Sequence, residues 1–325
     1  MEPAALLYLS RADVEAVGLE MATIIDRLET AFREKGQGRV EVPPKPGIHP
    51  QKDAFIHAMP AYIPAMAAAG VKWVSGFPEN YRRDLPYISG LLILNDPETG
   101  LPIAVMDCTW ITAKRTAAAT ALAAKYLARQ DSRSLGVLGC GVQGRTHLEA
   151  LCLLFPIQVV YAYDILPEAQ KAYVAEMSER FGILVLGVDE PRKAVEGCDI
   201  VVTAGPILKE PTPTIERDWL QEGAFASPVD FDSYWKPEAL AQVDKYATDD
   251  HGQYNYYRSA GYFRQAPAAA YADLGELVTG KKPGRENRRE RTMAMNLGFA
   301  LEDMATAIEI YRQARERGLG TWLPL

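Results

Sequence analysis

The sequence is poor in the residue types that build metal centres and disulfide frameworks. Its four cysteines (Cys108, Cys140, Cys152, Cys198) form no C-x-x-C pair, and its four histidines form no H-E-x-x-H or similar cluster. Buried free thiols are therefore expected, and no metal site is signalled. A long apolar run is missing too: the most apolar helix-like stretch, TAAATALAAKYLA, is interrupted by Lys125 and falls short of the roughly 20 residues a membrane span needs. The start, MEPAALLYLSRADVE, has an acid at position 2 and too little apolar length for a secretory signal, so a cytoplasmic protein without a membrane partner is expected. Dense positive charge is also lacking, with 35 Lys and Arg against 42 Asp and Glu and a net charge of -7. The one basic stretch, GKKPGRENRRERT at 280–292, reads as a solvated loop or helix start, which argues against a nucleic-acid partner.

What remains is the composition of an ordinary globular chain, 48% hydrophobic and 24% charged, which excludes disorder and fibrous classes. At 325 residues it is long enough for two domains. From Ser10 to Phe32, a capping-box spacing (Ser10, Asp13) precedes apolar residues at Met21, Ile24, Ile25, Leu28 and Phe32, predicting one amphipathic helix. AFIHAMPAYI, GVKWVSGF and YISGLLILNDPETGLPIAVMDCTW read as strands, the last two joined at DPETG. AKRTAAATALAAKYLARQ must be helical. Strands then alternate with helices: LGVLG, a helix at 144–155, QVVYAYD, PEAQKAYVAEMSERF, ILVLGV, a helix at PRKAVEGC, DIVVTAG and GAFASPVD. This pattern predicts parallel βαβ units. Apolar spacing from Met293 through Ile310 predicts one long closing helix. The expected fold is α/β: a Rossmann-type doubly wound parallel sheet over 129–290, inserted in an α+β domain formed by 1–128 and 291–325.

Gly139, Gly141 and Gly144 form G-x-G-x-x-G directly after a strand and at the opening of a helix. The first glycine permits the tight turn, the second lets backbone approach a pyrophosphate, and the third lets the helix pack on the sheet. The phosphates would rest on the helix N-terminus, beside Val142 and Gln143. Twenty residues beyond Gly144 the next strand ends at Asp164, whose carboxylate would accept the ribose hydroxyls and repel a 2'-phosphate, favouring NAD. Thr203, in the strand DIVVTAG, joins the cofactor-binding candidates.

A nicotinamide cofactor needs a partner site that binds a polar substrate and moves protons. Lys72, at the centre of GVKWVSGF, is either an exposed edge charge or a buried functional amine. Arg115 opens the alanine-rich helix as a surface charge or a ligand, and Thr116 beside it could reach phosphate. Asp230 and Asp232 follow a strand of the parallel sheet, where ligands bind, although loop solvation explains them equally well.

Taken together, GVKWVSGFPEN, DCTWITAKRTAAATALAAKYLA, GVLGCGVQGRTHLEAL and GKKPGRENRRE with GFALEDMATA resemble the ornithine cyclodeaminase and mu-crystallin family, in order and at family spacing. The resemblance implies a homodimer whose substrate and dimerisation domain is built from the N-terminal part and the C-terminal helix. By position, Lys72 and Arg115 match the residues that hold the substrate carboxylate or flank the reacting carbon, Thr116 a cofactor-phosphate contact, and Asp232 the family's acid after H-I-N-A-x-G-x-D. FASPVDFD departs from that motif at nearly every other place. Lys45 stands where the family usually has arginine. His57 in IHAMP replaces the glutamate that ornithine cyclodeaminases use in acid-base work. A histidine exchanges protons near neutral pH but offers no permanent anion to a second ammonium.

The chemistry implied is hydride transfer between Cα of a small amino acid and nicotinamide through an imine. Hydrolysis or external supply of that imine makes an amino-acid dehydrogenase or imine reductase, the reading His57 favours. Ring closure with ammonia loss makes a cyclodeaminase. A non-catalytic binder of NAD(P)H or a small ligand is the reading from another class, since one family member is a lens protein that binds a small hormone.

Overall fold

In the computed structural model the Ser10 hydroxyl accepts from the Asp13 amide at 3.3 Å, and the Asp13 carboxylate accepts from the Ser10 amide at 2.9 Å. This is the capping box the sequence predicts. The helix it opens is short, because Gly18 in the left-handed conformation (φ 62°) ends it, and two helices, Arg11–Val17 and Met21–Gly36, replace the single one expected. The second buries Met21, Ile24, Ile25, Leu28 and Phe32.

Residues 5–263 and 266–325 are described, and the chain divides into two units, Met1–Arg115 with Gly298–Leu325, and Thr116–Leu297. The boundaries fall at 115/116 and 297/298, where patterning places them at 128/129 and 290/291. The alanine-rich helix, Thr109–Leu127, gives only its first turns to the first unit, since Thr120 hydrogen-bonds Ser227 and His147 in the second (both 3.0 Å).

The first unit is a seven-stranded sheet in the spatial order Thr321–Pro324, Ala5–Leu9, Pro102–Asp107, Ile88–Asn95, Ala68–Gly76, Phe55–Ile63, Gly47–Ile48. Every pairing is antiparallel except Ala5–Leu9 with Pro102–Asp107. The helix Ala300–Arg317 packs on one face, with the two N-terminal helices against it. The other face presents apolar side chains, with Trp73 50% and Leu91 47% exposed and paired in register.

The second unit is an eight-stranded sheet with every pairing parallel, ordered Ala272–Asp273, Lys245–Thr248, Thr292–Met295, Phe225–Pro228, Ile200–Thr203, Ser134–Leu138, Val159–Tyr163, Leu184–Gly187. The strand order reverses beside Ser134–Leu138, which puts a topological switch point at the carboxyl ends of that strand and Ile200–Thr203. Three expectations are corrected. Residues 292–295 form a fully buried strand of this sheet rather than the start of the closing helix, which begins at Ala300. PRKAVEGC holds only a 3-10 turn, Pro191–Ala194. The helix of the glycine loop runs Val142–Cys152, starting earlier than expected.

Candidate active site

Lys72 sits mid-strand in Ala68–Gly76 and is fully buried, on the face opposite Trp73. Period-2 alternation turns it inward, which removes the exposed-edge reading. Its Nζ donates to Asp303 Oδ1 at 2.7 Å and to Thr112 Oγ1 at 3.4 Å. Arg115 donates from Nε to the same Asp303 oxygen at 3.0 Å and from Nη1 to Glu302 Oε2 at 2.6 Å. Both acids occupy the first turn of the closing helix, where the dipole favours carboxylates. Just ahead of them, a Cβ on Gly298 would stand 3.1 Å from each Arg115 Nη, so the missing side chain lets the guanidinium lie against backbone. Lys45 Nζ donates to the Gly298 carbonyl at 2.9 Å.

Among the described residues, three buried cations (Lys45, Lys72, Arg115) thus lie in one unit with two buried carboxylates (Glu302, Asp303). Burial first, and Arg115 second, push the Lys72 pKa below that of an ordinary lysine, while Asp303 opposes the shift. Asp303 Oδ2 is buried without a hydrogen-bond partner among the described residues. Buried positive charge is costly, so the cluster suits a small anion such as a carboxylate.

His57 points inward from Phe55–Ile63, its ring stacked on Phe55 at 4.3 Å between centroids. Burial, then the charges of Lys45, His49 and Lys72, push its pKa down to about 3. The imidazole is therefore neutral at physiological pH, its pKa below the range in which an ordinary histidine exchanges protons. Its cross-strand partner Gly47 has no room for a side chain, since a Cβ there would meet His57 Cδ2 at 2.1 Å.

In the second unit the backbone at each glycine of the loop permits the expected task. Gly139 has φ 107°, and a Cβ on it would meet the Ala204 carbonyl at 2.5 Å. A Cβ on Gly144 would meet the Gly139 carbonyl at 2.4 Å, whereas one on Gly141 would meet nothing within 4 Å. The open position is the one where a pyrophosphate would approach, at the N-terminus of Val142–Cys152, so the loop fits a dinucleotide. Gln143 Oε1 is buried without a partner among the described residues, and Val142 is exposed. Asp164 braces the loop: Oδ2 accepts from the Cys140 amide at 2.7 Å and Oδ1 from the Leu166 amide at 2.9 Å. Thr116 is partly buried on its helix, next to Arg115 in sequence.

Asp230 and Asp232 part company. Asp230 is fully buried, with Oδ1 accepting from Thr203 Oγ1 at 2.6 Å and Oδ2 from the Gly205 amide at 2.7 Å, and Thr203 Oγ1 accepts from Trp235 Nε1 at 3.1 Å. Burial pushes the Asp230 pKa up to about 7. Asp230 and the Thr203 hydroxyl are thus hydrogen-bonded to each other at the strand end. Asp232 Oδ1, by contrast, is buried without a partner among the described residues, and burial raises its pKa.

Sequence reasoning missed Asn296, Glu302 and Asp303. Both side-chain polar atoms of Asn296 are buried and unpartnered among the described residues, directly after the parallel strand Thr292–Met295. Ligands bind at such strand ends, and the signal was lost because that strand reads as helix. Glu302 and Asp303 were visible as an acidic pair in GFALED. His251, Asp273 and Glu276 also converge. A helix capping box (Asp273 with Glu276) and the 2.9 Å His251 to Glu276 contact account for that group.

The model of the ornithine cyclodeaminase/mu-crystallin family matches residues 6–318. Nodulation efficiency protein NfeD of Rhizobium meliloti is 37% identical over 315 residues, covering 97% of both chains. The structure of Thermococcus litoralis Δ1-pyrroline-2-carboxylate reductase with NADH and L-proline superposes with a TM-score of 0.87 at 36% identity, covering 97% of this chain and 99% of that one. An archaeal alanine dehydrogenase dimer with bound NAD gives a TM-score of 0.87 at 33% identity, covering 99% and 100%. With the family model matched over nearly its whole length, the chain belongs to the ornithine cyclodeaminase/mu-crystallin family.

Proposed function

We propose that this protein is an NAD-dependent oxidoreductase that transfers hydride between Cα of a small amino acid, or its imine, and nicotinamide. The observation that carries this reading is the burial of three cationic side chains, Lys45, Lys72 and Arg115, which would hold an amino or imino acid carboxylate. Charge-assisted hydrogen bonds from these cations orient the substrate. Asp232 holds or moves the proton on the substrate nitrogen, its unpartnered oxygen being the acceptor. Gly139, Gly141, Val142, Gln143 and Gly144 hold the cofactor with Asp164, Thr116 and Asn296, and bound NAD supplies the hydride acceptor. His57, neutral and beside two lysines, offers no anion to a second substrate ammonium, which favours dehydrogenase or reductase over a cyclodeaminase of diamino acids. The likeness to the pyrroline-2-carboxylate reductase and the alanine dehydrogenase supports the same reading.

The working form is a homodimer, the second copy covering the apolar sheet face around Trp73 and Leu91; an exposed face of this kind marks an interaction surface. Its compartment is the cytoplasm, where four free cysteines stay reduced. Incubation with NAD or NADH and a panel of alanine, ornithine, lysine and cyclic imines tests the reading. Stoichiometric NADH change supports it. Ammonia release without net NADH change would make the protein a cyclodeaminase, and NADH binding without turnover of any member would make it a binding protein.

A further inference from the structure

Phe231, between Asp230 and Asp232, has φ 62°, in the left-handed region that a bulky aromatic residue rarely adopts. Such strain persists only where the surroundings over-determine it. Here the determinant is visible: the buried Phe231 ring meets Tyr257 at 5.5 Å and 79°, Tyr262 at 5.9 Å and 89°, and Phe263 at 5.3 Å and 85°. All three contacts are edge-to-face, the geometry in which aromatic rings attract. They come from the helix His251–Ser259 and the turn after it. The left-handed residue separates two acids that a continuing extended strand would send to the same face. Asp230 is drawn into the strand end with Thr203 and Gly205, while Asp232 keeps a buried oxygen without a partner.

We propose that Phe231 is a positioning residue, its ring clamped by Tyr257, Tyr262 and Phe263 so that the strained backbone leaves Asp232 Oδ1 without an internal partner and ready for substrate. The inference rests on the reading of Asp232 as the proton-handling acid. It explains why a strained phenylalanine stands there: the cost of the conformation is borne by the aromatic cluster, and Asp232 Oδ1 stays without a partner because of it.

Phe231→Gly accepts the left-handed backbone but removes the ring, Tyr257→Leu loosens the clamp without touching residue 231, and Tyr257→Phe keeps the clamping ring. For the substrate that turns over, kcat in Phe231→Gly and Tyr257→Leu falls roughly tenfold to a hundredfold, as misplacement of a reacting group by an ångström would cause. Substrate KM and NADH Kd stay within about threefold in both, and Tyr257→Phe keeps kcat within about threefold of the parent, well short of that loss. Unchanged kcat with only a lowered Tm in the first two variants would make the cluster simple packing and overturn the proposal. A readout independent of turnover separates this failure from that of the functional reading. Asp232→Asn at pH 8 relieves an unsatisfied buried carboxylate and raises Tm by about 2–4 °C in the parent, but by less than half of that in the Tyr257→Leu background. Equal shifts in the two backgrounds would refute the clamp even if no substrate is ever found.

Discussion

Replacing Lys72 by methionine removes one of three buried cations while leaving most of its volume in place. Lys45 and Arg115 then remain with Glu302 and Asp303. The substrate carboxylate loses a hydrogen bond from a charged donor, worth about 1.5–3 kcal/mol. At about 1.4 kcal/mol per tenfold, kcat/KM should fall roughly 10- to 150-fold. The fold suffers less than an isolated buried charge would imply, because Asp303 Oδ1 keeps Arg115 Nε at 3.0 Å. A cost of about 1–3 kcal/mol for the weakened partner corresponds to a Tm lower by about 2–12 °C. The assay is steady-state NADH formation or consumption with the substrate found by the panel, alongside quenching of NADH fluorescence. NADH Kd should stay within about twofold, since the glycine loop belongs to the other unit. A folded Lys72→Met protein with kcat/KM within about threefold of the parent, far less than the loss of a charged hydrogen bond, would remove Lys72 from substrate binding.

Three further outcomes follow from the same geometry. Gly141→Ala places its Cβ in open space, so Tm should hold while NADH binding weakens at least about tenfold; Gly144→Ala, 2.4 Å from the Gly139 carbonyl, should instead lower Tm, and equal behaviour of the two would refute the assigned tasks. Because the His57 pKa is lowered to about 3, the unfolded chain takes up a proton below about pH 6.5 that the native protein refuses. Stability is then present above that pH and is lost as pH falls toward 3, by at most about 1.4 kcal/mol per pH unit from this group, and His57→Gln should flatten the decline in melts at pH 7, 6 and 5. An unflattened decline would mean that other groups, His147 among them with its pKa lowered to about 4, carry the whole effect. Trp73→Glu with Leu91→Lys should convert a dimer into monomer by sedimentation with the NADH site intact, and an unaltered dimer would move the interface elsewhere.

Much of the fold is legible because its signals are local. The capping box at Ser10, the hairpin at DPETG and the glycine loop each depend on residues a few positions apart, and each forms as patterned. The misreadings share a cause. Thr292–Met295 is a four-residue, fully buried strand whose methionines are also at helical spacing, and periodicity cannot separate a buried strand from a buried helix at that length. Once it is read as helix, Asn296 at its end loses the context that would nominate it as a ligand contact. The left-handed backbone at Phe231 leaves no local mark either, since nothing in VDFDS reveals the rings that hold it.

The sequence by itself determined the dinucleotide fold and family, and it nominated Lys72, Arg115 and Asp232, because those depend on which residue types occur at which spacing. Tertiary structure decided their states. Lys72 and Asp303 are 231 positions apart, yet 2.7 Å separates their polar atoms. Only such meetings show that the lysine is buried beside Asp303, that His57 is neutral and that Asp230 is held by Thr203 and Gly205. Charge, protonation and hydrogen bonding are properties of neighbourhoods, and these neighbourhoods are assembled by long-range packing.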